Sequence, residues 1–158
     1  KIHGQIYHNN YEPPLTLDTN LGIKPGLAES WQLVDAKTLV FKLRRGVRFH
    51  DGTDFNAEAA KFNFNRMKTE PKSVRKGETA SIDTVDVVDA YTIRMNLKRP
   101  DAALPATLTD RAGMMVSPKA AQALGDKFGT APVCAGPYKF VERVPQDRIL
   151  VEPFKDYW

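Results

Sequence analysis

The chain has 158 residues, 42% of them hydrophobic, a single cysteine, and a formal charge of +4 from 23 basic and 19 acidic side chains. This is enough apolar material for one ordinary domain with a buried core, and one cysteine excludes an intrachain disulfide framework. There is no run of about 18 apolar residues, which excludes a membrane-spanning helix, and the basic residues are scattered among acids, which argues against a nucleic-acid stripe.

The opening KIHGQIYHNN lacks the apolar stretch of a secretion signal, so an exported form would have lost its signal before this point. Trp31 to Val34 and Thr38 to Leu43 flank the polar link Asp35-Ala36-Lys37, and Leu39, Phe41 and Leu43 alternate with Val40 and Lys42. Period-two alternation across a short turn predicts a β-hairpin with one face inward.

The next stretch, LRRGVRFHDGTDFNAE, packs arginines, a histidine and an aspartate around two glycines. Gly46 supplies the turn after Leu43, Val47 and Phe49 point inward against Arg48 and His50 outward, and Asp51-Gly52 forms a second turn. Every unusual residue then has a structural task. The alternative, a hydrolase using His50 oriented by Asp51, requires a nucleophile or metal that the local sequence does not offer.

Asn56 opens a predicted helix through NAEAAKFNFNRMK, with Glu58 in the first turn and Ala60, Phe64 and Met67 as its buried stripe. Pro71 to Ala80, charged and carrying Gly77, reads as a surface loop. The string VDVVDAYTIRMNL predicts a second hairpin turning at Asp89 and Ala90, with Ile93, Met95 and Leu97 inward. Its wording, VDAYTIRMNLKR, matches VDAKTLVFKLRR of the first; similar turn demands on similar hairpins account for one such match.

A helix over Asp101 to Thr109 is interrupted or begun late by Pro105, and another follows with Ser117 as N-cap, Pro118 at its first position and Gly125 as its stop. PYKFVERV and DRILVEP form a third hairpin through Pro145 and Gln146. The sum is an α+β fold: a mixed, mainly antiparallel sheet with a few helices. Cys134 is either a free thiol or a small buried residue. His3, His8 and His50 fit no local metal motif, so neither a metal site nor any other cofactor is expected.

The segment PGLAESWQLVDAKTLVFKLRRGVRFHDGTDFNAEAAKFNFNR resembles the signature region of the family 5 extracellular solute-binding proteins, the peptide, nickel and glutathione receptors of ABC importers. Their marker L-R-x-G-V-x-F-H-D-G-T-x-F stands here as LRRGVRFHDGTDF. IYHNNYEPPLTLD, DRAGMMVSPKAA, APVCAGPYKFVE and FKDYW agree with family segments in the same order, so the likeness runs from about Ile6 to Trp158. Two positions depart from the pattern. Cys134-Ala135 stands where the family has Gly-Thr, giving that turn less backbone freedom, and Asn56 replaces a threonine or aspartate cap while keeping its chemistry.

The resemblance implies an amino-terminal piece of a two-lobed periplasmic-binding-protein fold of type II, cluster C. Residues of about 1–30 would be a fringe of the larger lobe, about 31–150 the smaller lobe, and about 151–158 the return toward the larger one. It further implies a monomeric, non-enzymatic receptor, periplasmic or lipid-anchored at the cell surface. Such a receptor closes on a dipeptide, oligopeptide, glutathione or similar solute and docks on a membrane permease. The same fold also resembles the ligand-sensing domain of some bacterial regulators. In the family a strand corresponding to Asp110–Val116 borders the ligand space, so Arg111, Gly113 and Met114 become candidate ligand contacts, with Cys134 and Tyr138 at the next turn. Arg111 would pair with a ligand carboxylate through its two-pronged guanidinium, and Met114 would give an adaptable apolar wall.

Overall fold

Two hairpins build the largest sheet. Strands β3 (Ala28–Asp35) and β4 (Thr38–Leu43) pair antiparallel, as do β5 (Ile82–Asp89) and β6 (Thr92–Leu97), and the strand order is β3-β4-β6-β5. The computed structural model that shows this describes residues 9–71, 73 and 76–158. Both hairpins turn the same way: Asp35 Oδ1 accepts the Lys37 N–H at 2.8 Å, and Asp89 Oδ1 accepts the Tyr91 N–H at 2.8 Å. An aspartate that bonds the backbone two residues on closes such a link by itself.

The matched wording of the hairpins has a geometric counterpart. In the central β4–β6 pairing Val40 lies opposite Arg94, and these two occupy equivalent positions in VDAKTLVFKLRR and VDAYTIRMNLKR. Leu39 faces Met95 and Phe41 faces Ile93, so the hairpins are related by a local twofold axis between Val40 and Arg94.

The alternating residues bury as the pattern predicts: Leu39, Phe41, Leu43, Ile93, Met95 and Leu97 are all core. Burying each such side chain stabilises the fold by about 1.5–3 kcal/mol. Helix α1 (Ala57–Thr69) covers β5 and β6 with Ala57, Ala60 and Phe64. Asn56 caps it by accepting the Ala59 N–H at 3.0 Å. Met67, expected in the buried stripe, is half-buried, while Asn63 is buried and donates its amide to the Ala59 carbonyl at 2.9 Å. Because α1 packs at the β5 end, the edge strand β3 keeps little cover. Leu33, which shares the face of its partner Leu39, is 55% exposed.

The same unit, residues 13–45 and 56–114, holds the short pair β1 (Leu15–Leu17) and β2 (Ile23–Pro25) and one turn of helix, α2 (Leu104–Thr107). Pro105 stands in its first turn, which explains why the helix expected from Asp101 begins late.

The other unit comprises residues 9–12, 46–55 and 115–158. It contains helix α3 (Pro118–Leu124), a 3₁₀ turn (Gly125–Thr130), and the ribbon β7 (Tyr138–Val144) with β8 (Arg148–Pro153). Ser117 and Gly125 bound α3 as expected, and Gln146 takes φ +64° in the ribbon's turn. These units are defined by packing within the chain, whereas the lobe limits implied by the resemblance concern a whole receptor. No helix among the described residues is long and apolar enough to cross a membrane.

Candidate functional site

The motif segment 46–55 is a tight double turn. Gly46 and Gly52 have φ of +73° and +79°, Phe49 N–H bonds the Thr53 carbonyl at 2.8 Å, and Gly52 N–H bonds the Phe49 carbonyl at 2.9 Å. Val47, Phe49 and Phe55 are buried, and the Phe49 and Phe55 rings meet edge to face with centroids 5.9 Å apart. Arg48 is exposed beside Asp54, 3.7 Å away.

His50 departs from the outward orientation that alternation predicts. It is half-buried, with its ring 5.0 Å from that of Phe154 and both nitrogens taken up by the Cys134–Gly136 turn. Nε2 lies 2.9 Å from the Gly136 carbonyl, and the Cys134 N–H donates to Nδ1 at 3.3 Å. A carbonyl only accepts and a backbone N–H only donates, so the ring is the neutral tautomer with its proton on Nε2. The His50 N–H adds a third bond, to the Cys134 carbonyl at 2.8 Å. Burial pushes the imidazole's pKa down, with Lys139 acting the same way and the Gly136 bond and Asp51 opposing.

Asp51 turns away from this ring to a different task. Its Oδ1 accepts the Thr53 hydroxyl at 2.6 Å and the Thr53 N–H at 3.1 Å, and its Oδ2 accepts the buried Ser117 hydroxyl at 2.5 Å. Burial alone would raise this carboxyl's pKa, but the bonds from Ser117 and Thr53, with help from Lys119, hold it below the ordinary range. Ser117 Oγ in turn accepts the Ala120 N–H at 3.2 Å and caps α3. With both ring nitrogens on backbone groups and the carboxylate on hydroxyls, His50 and Asp51 are not arranged as a base and its orienting acid.

Gly136 lets the turn approach residues 9 and 10. Its N–H bonds the Asn10 carbonyl at 2.9 Å, and a Cβ there would stand 2.6 Å from Asn10 C and 2.7 Å from Asn9 O. Cys134 and Ala135, which replace the family's Gly-Thr, are fully buried with no positive φ, so this turn does not draw on the freedom they lack. Burial raises the Cys134 thiol well above its usual pKa, and a side-chain hydrogen bond with Tyr11 opposes this. Cys134 is thus a free thiol that is also buried.

Of the five candidate ligand residues, Cys134 and Tyr138 belong to the unit holding His50, and Arg111, Gly113 and Met114 to the other. The strand expected over Asp110–Val116 is not formed. Gly113 N–H returns to the Asp110 carbonyl at 2.8 Å and Met114 N–H to the Arg111 carbonyl at 3.3 Å, so residues 110–114 coil into turns. Only Met115 and Val116 make bridges, to Glu12 and Cys134. Arg111 and Tyr138 are exposed, while Met114 is buried. Gly113 is buried where a Cβ would lie 2.0 Å from the Leu108 carbonyl oxygen, a sufficient packing reason for glycine. Sequence reasoning did not anticipate the partners of His50 or the Ser117–Asp51 bond; they join chain positions 84 and 66 residues apart. Among the described residues no three His, Cys, Asp or Glu side chains gather as a metal site, and His3 and His8 lie outside those residues.

The model of the bacterial extracellular solute-binding proteins, family 5 Middle, matches residues 22–158. The chain belongs to this family. It is 35% identical over 150 residues to the glutathione-binding protein GsiB of Pectobacterium atrosepticum, covering 94% of the chain and 29% of that protein. Among solved structures, AgaA of A. tumefaciens R10 in complex with agropinic acid superposes with a TM-score of 0.89 at 28% identity, over 97% of this chain and 31% of that one. An ABC transporter substrate-binding protein from Sinorhizobium meliloti does so with a TM-score of 0.84 at 32% identity, over 97% of this chain and 32% of that one. The chain thus spans less than a third of the length of these family 5 relatives.

Proposed function

We propose that the intact protein is the substrate-binding component of an ABC importer, one that captures a peptide or related small solute such as glutathione between two lobes and hands it to a membrane permease. The observation that carries this reading is 35% identity to a glutathione-binding protein sustained over 94% of the chain. The engagement of His50 and Asp51 in structural bonds supports binding without turnover. The protein works outside the cytoplasm, in the periplasm or lipid-anchored at the surface, as a monomer that takes no nucleic acid.

Arg111 and Tyr138, whose side chains are exposed, serve as direct ligand contacts, each from its own unit, with buried Gly113 and Met114 beside the first and buried Cys134 near the second in the chain. Residues of about 31–150 belong to the smaller lobe of the receptor, with about 1–30 and 151–158 contributing to the larger.

A thermal-shift screen of the intact protein against dipeptides, oligopeptides, glutathione and nickel chelates tests the reading. A ligand at a hundred times its Kd stabilises by about 2.7 kcal/mol and raises the melting temperature accordingly. No shift with any peptide or glutathione at millimolar concentration would refute it.

A further inference from the structure

The His50 contact is chemically one-sided. Its ring is held by one bond that it donates and one that it accepts, both to the backbone of a single turn, and the accepting nitrogen faces the Cys134 N–H at 3.3 Å. A proton added to Nδ1 removes the lone pair that receives that N–H and leaves two donors pointing at each other. The ring has nowhere to swing without loss, because Nε2 is committed to Gly136 and the Phe154 ring stands against one edge. The His50 N–H, in turn, is tied to the Cys134 carbonyl.

The charged groups around the ring give the added proton little welcome. Lys139, on β7 immediately beyond the turn, repels it. Asp51 attracts it, but both carboxylate oxygens are already occupied by Ser117 and Thr53, and Lys119 offsets its charge. The Cys134 thiol, fully buried and with its pKa raised, stays neutral. The Phe154 ring and the turn itself, Cys134-Ala135-Gly136-Pro137, add no charge.

We propose that His50 is a proton-operated clasp on the Cys134–Tyr138 turn: the neutral ring holds the turn closed, and protonation at Nδ1 in mildly acidic surroundings opens it. Opening frees the start of β7, whose first residue is Tyr138, from the motif segment 46–55. The clasp depends on no particular ligand, so it stands or falls separately from the transport reading.

Hydrogen exchange of the intact protein, read by mass spectrometry on peptides spanning residues 131–140 and corrected for intrinsic exchange rates, tests this between pH 7.5 and 5.0. For a ring of ordinary pKa 6.5 that must be neutral while closed, the opening equilibrium grows by up to about 30-fold at pH 5.0. His50→Asn keeps an acceptor in the place of Nδ1 but does not titrate, so its opening is expected to stay flat; this separates His50 from the chain's two other histidines, His3 and His8. Exchange at the His50 ring carbon in the unaltered protein, which reports that ring's own titration without any substitution, is expected to give a midpoint below 6.5. The proposal is overturned by flat opening in the unaltered protein, by an equal rise in His50→Asn, or by a ring midpoint at or above 6.5.

Discussion

Ser117→Ala removes two bonds at once, and the structure says how they divide. The hydroxyl is fully buried, caps α3 through the Ala120 N–H at 3.2 Å, and donates to Asp51 Oδ2 at 2.5 Å. Loss of an N-cap costs about 1 kcal/mol. A bond to a charged group is worth about 1.5–3 kcal/mol, and partial exposure of Asp51 screens it toward the lower figure. The expected loss is therefore about 2.5 kcal/mol, against about 1 kcal/mol for Asn56→Ala, which removes the cap of α1 and nothing else in this accounting. Urea unfolding of the two variants, compared at unchanged m, reads the difference directly. In an Asp51→Ala background Ser117→Ala should cost only the cap, a coupling of about 1.5 kcal/mol in the double-mutant cycle. Equal losses for Ser117→Ala and Asn56→Ala, or a coupling indistinguishable from zero, would show that the 2.5 Å bond contributes nothing and refute the reasoning.

Gly136→Ala should destabilise by about 1–3 kcal/mol, since its Cβ would press on backbone atoms of residues 9 and 10 that cannot move aside, whereas Gly129→Ala, with open space around it, should be neutral or slightly stabilising in the same melts. Phe41→Ala, at the centre of the four-stranded sheet, should cost about 3–5 kcal/mol in urea. Asp35→Ala and Asp89→Ala should lower the melting temperature by small, equal amounts, because the twofold relation gives their turns the same bond; unequal effects would contradict that equivalence. The depressed pKa of His50 means the folded state binds its proton later than the unfolded one, so its contribution is complete above pH 6.5 and is lost as pH falls through its folded value. Asp51 acts in the same sense at lower pH: its contribution is present above 3.8 and disappears as pH falls through the depressed value. A melting series in which the slope between pH 7 and 5 survives His50→Asn would contradict the first of these.

Much of the fold was legible because local rules and tertiary burial agree over the hairpins and helix caps. Leu39, Phe41, Ile93 and Met95 alternate because one face of β4 and β6 is buried in the core, and Asn56, Ser117 and Gly125 sit where helix ends need their side chains or their absence. Alternation failed at His50 for a physical reason. The period sorts neighbours into two faces, but it cannot say that the face carrying His50 is covered by a turn brought from 84 residues away. Over Asp110–Val116 the resemblance implied a strand, but Gly113 and Met114 return their N–H groups to Asp110 and Arg111 and only the last two residues bridge. The exposed Leu33 shows the same limit, since the period of β3 gives its face but not how far α1 reaches. Of the candidate site, the residue types were legible and the assembly was not, because what joins Asp51 to Ser117 and His50 to Cys134 is tertiary.

The most direct measurement of the central claim is isothermal titration of the intact protein with dipeptides, oligopeptides and glutathione, followed by mass spectrometry of the recovered ligand. The account predicts saturable one-to-one binding of at least one of them, weakened by Arg111→Ala, with the ligand returned unaltered. Cleaved or otherwise modified ligand, or no binding by any of them, would contradict it.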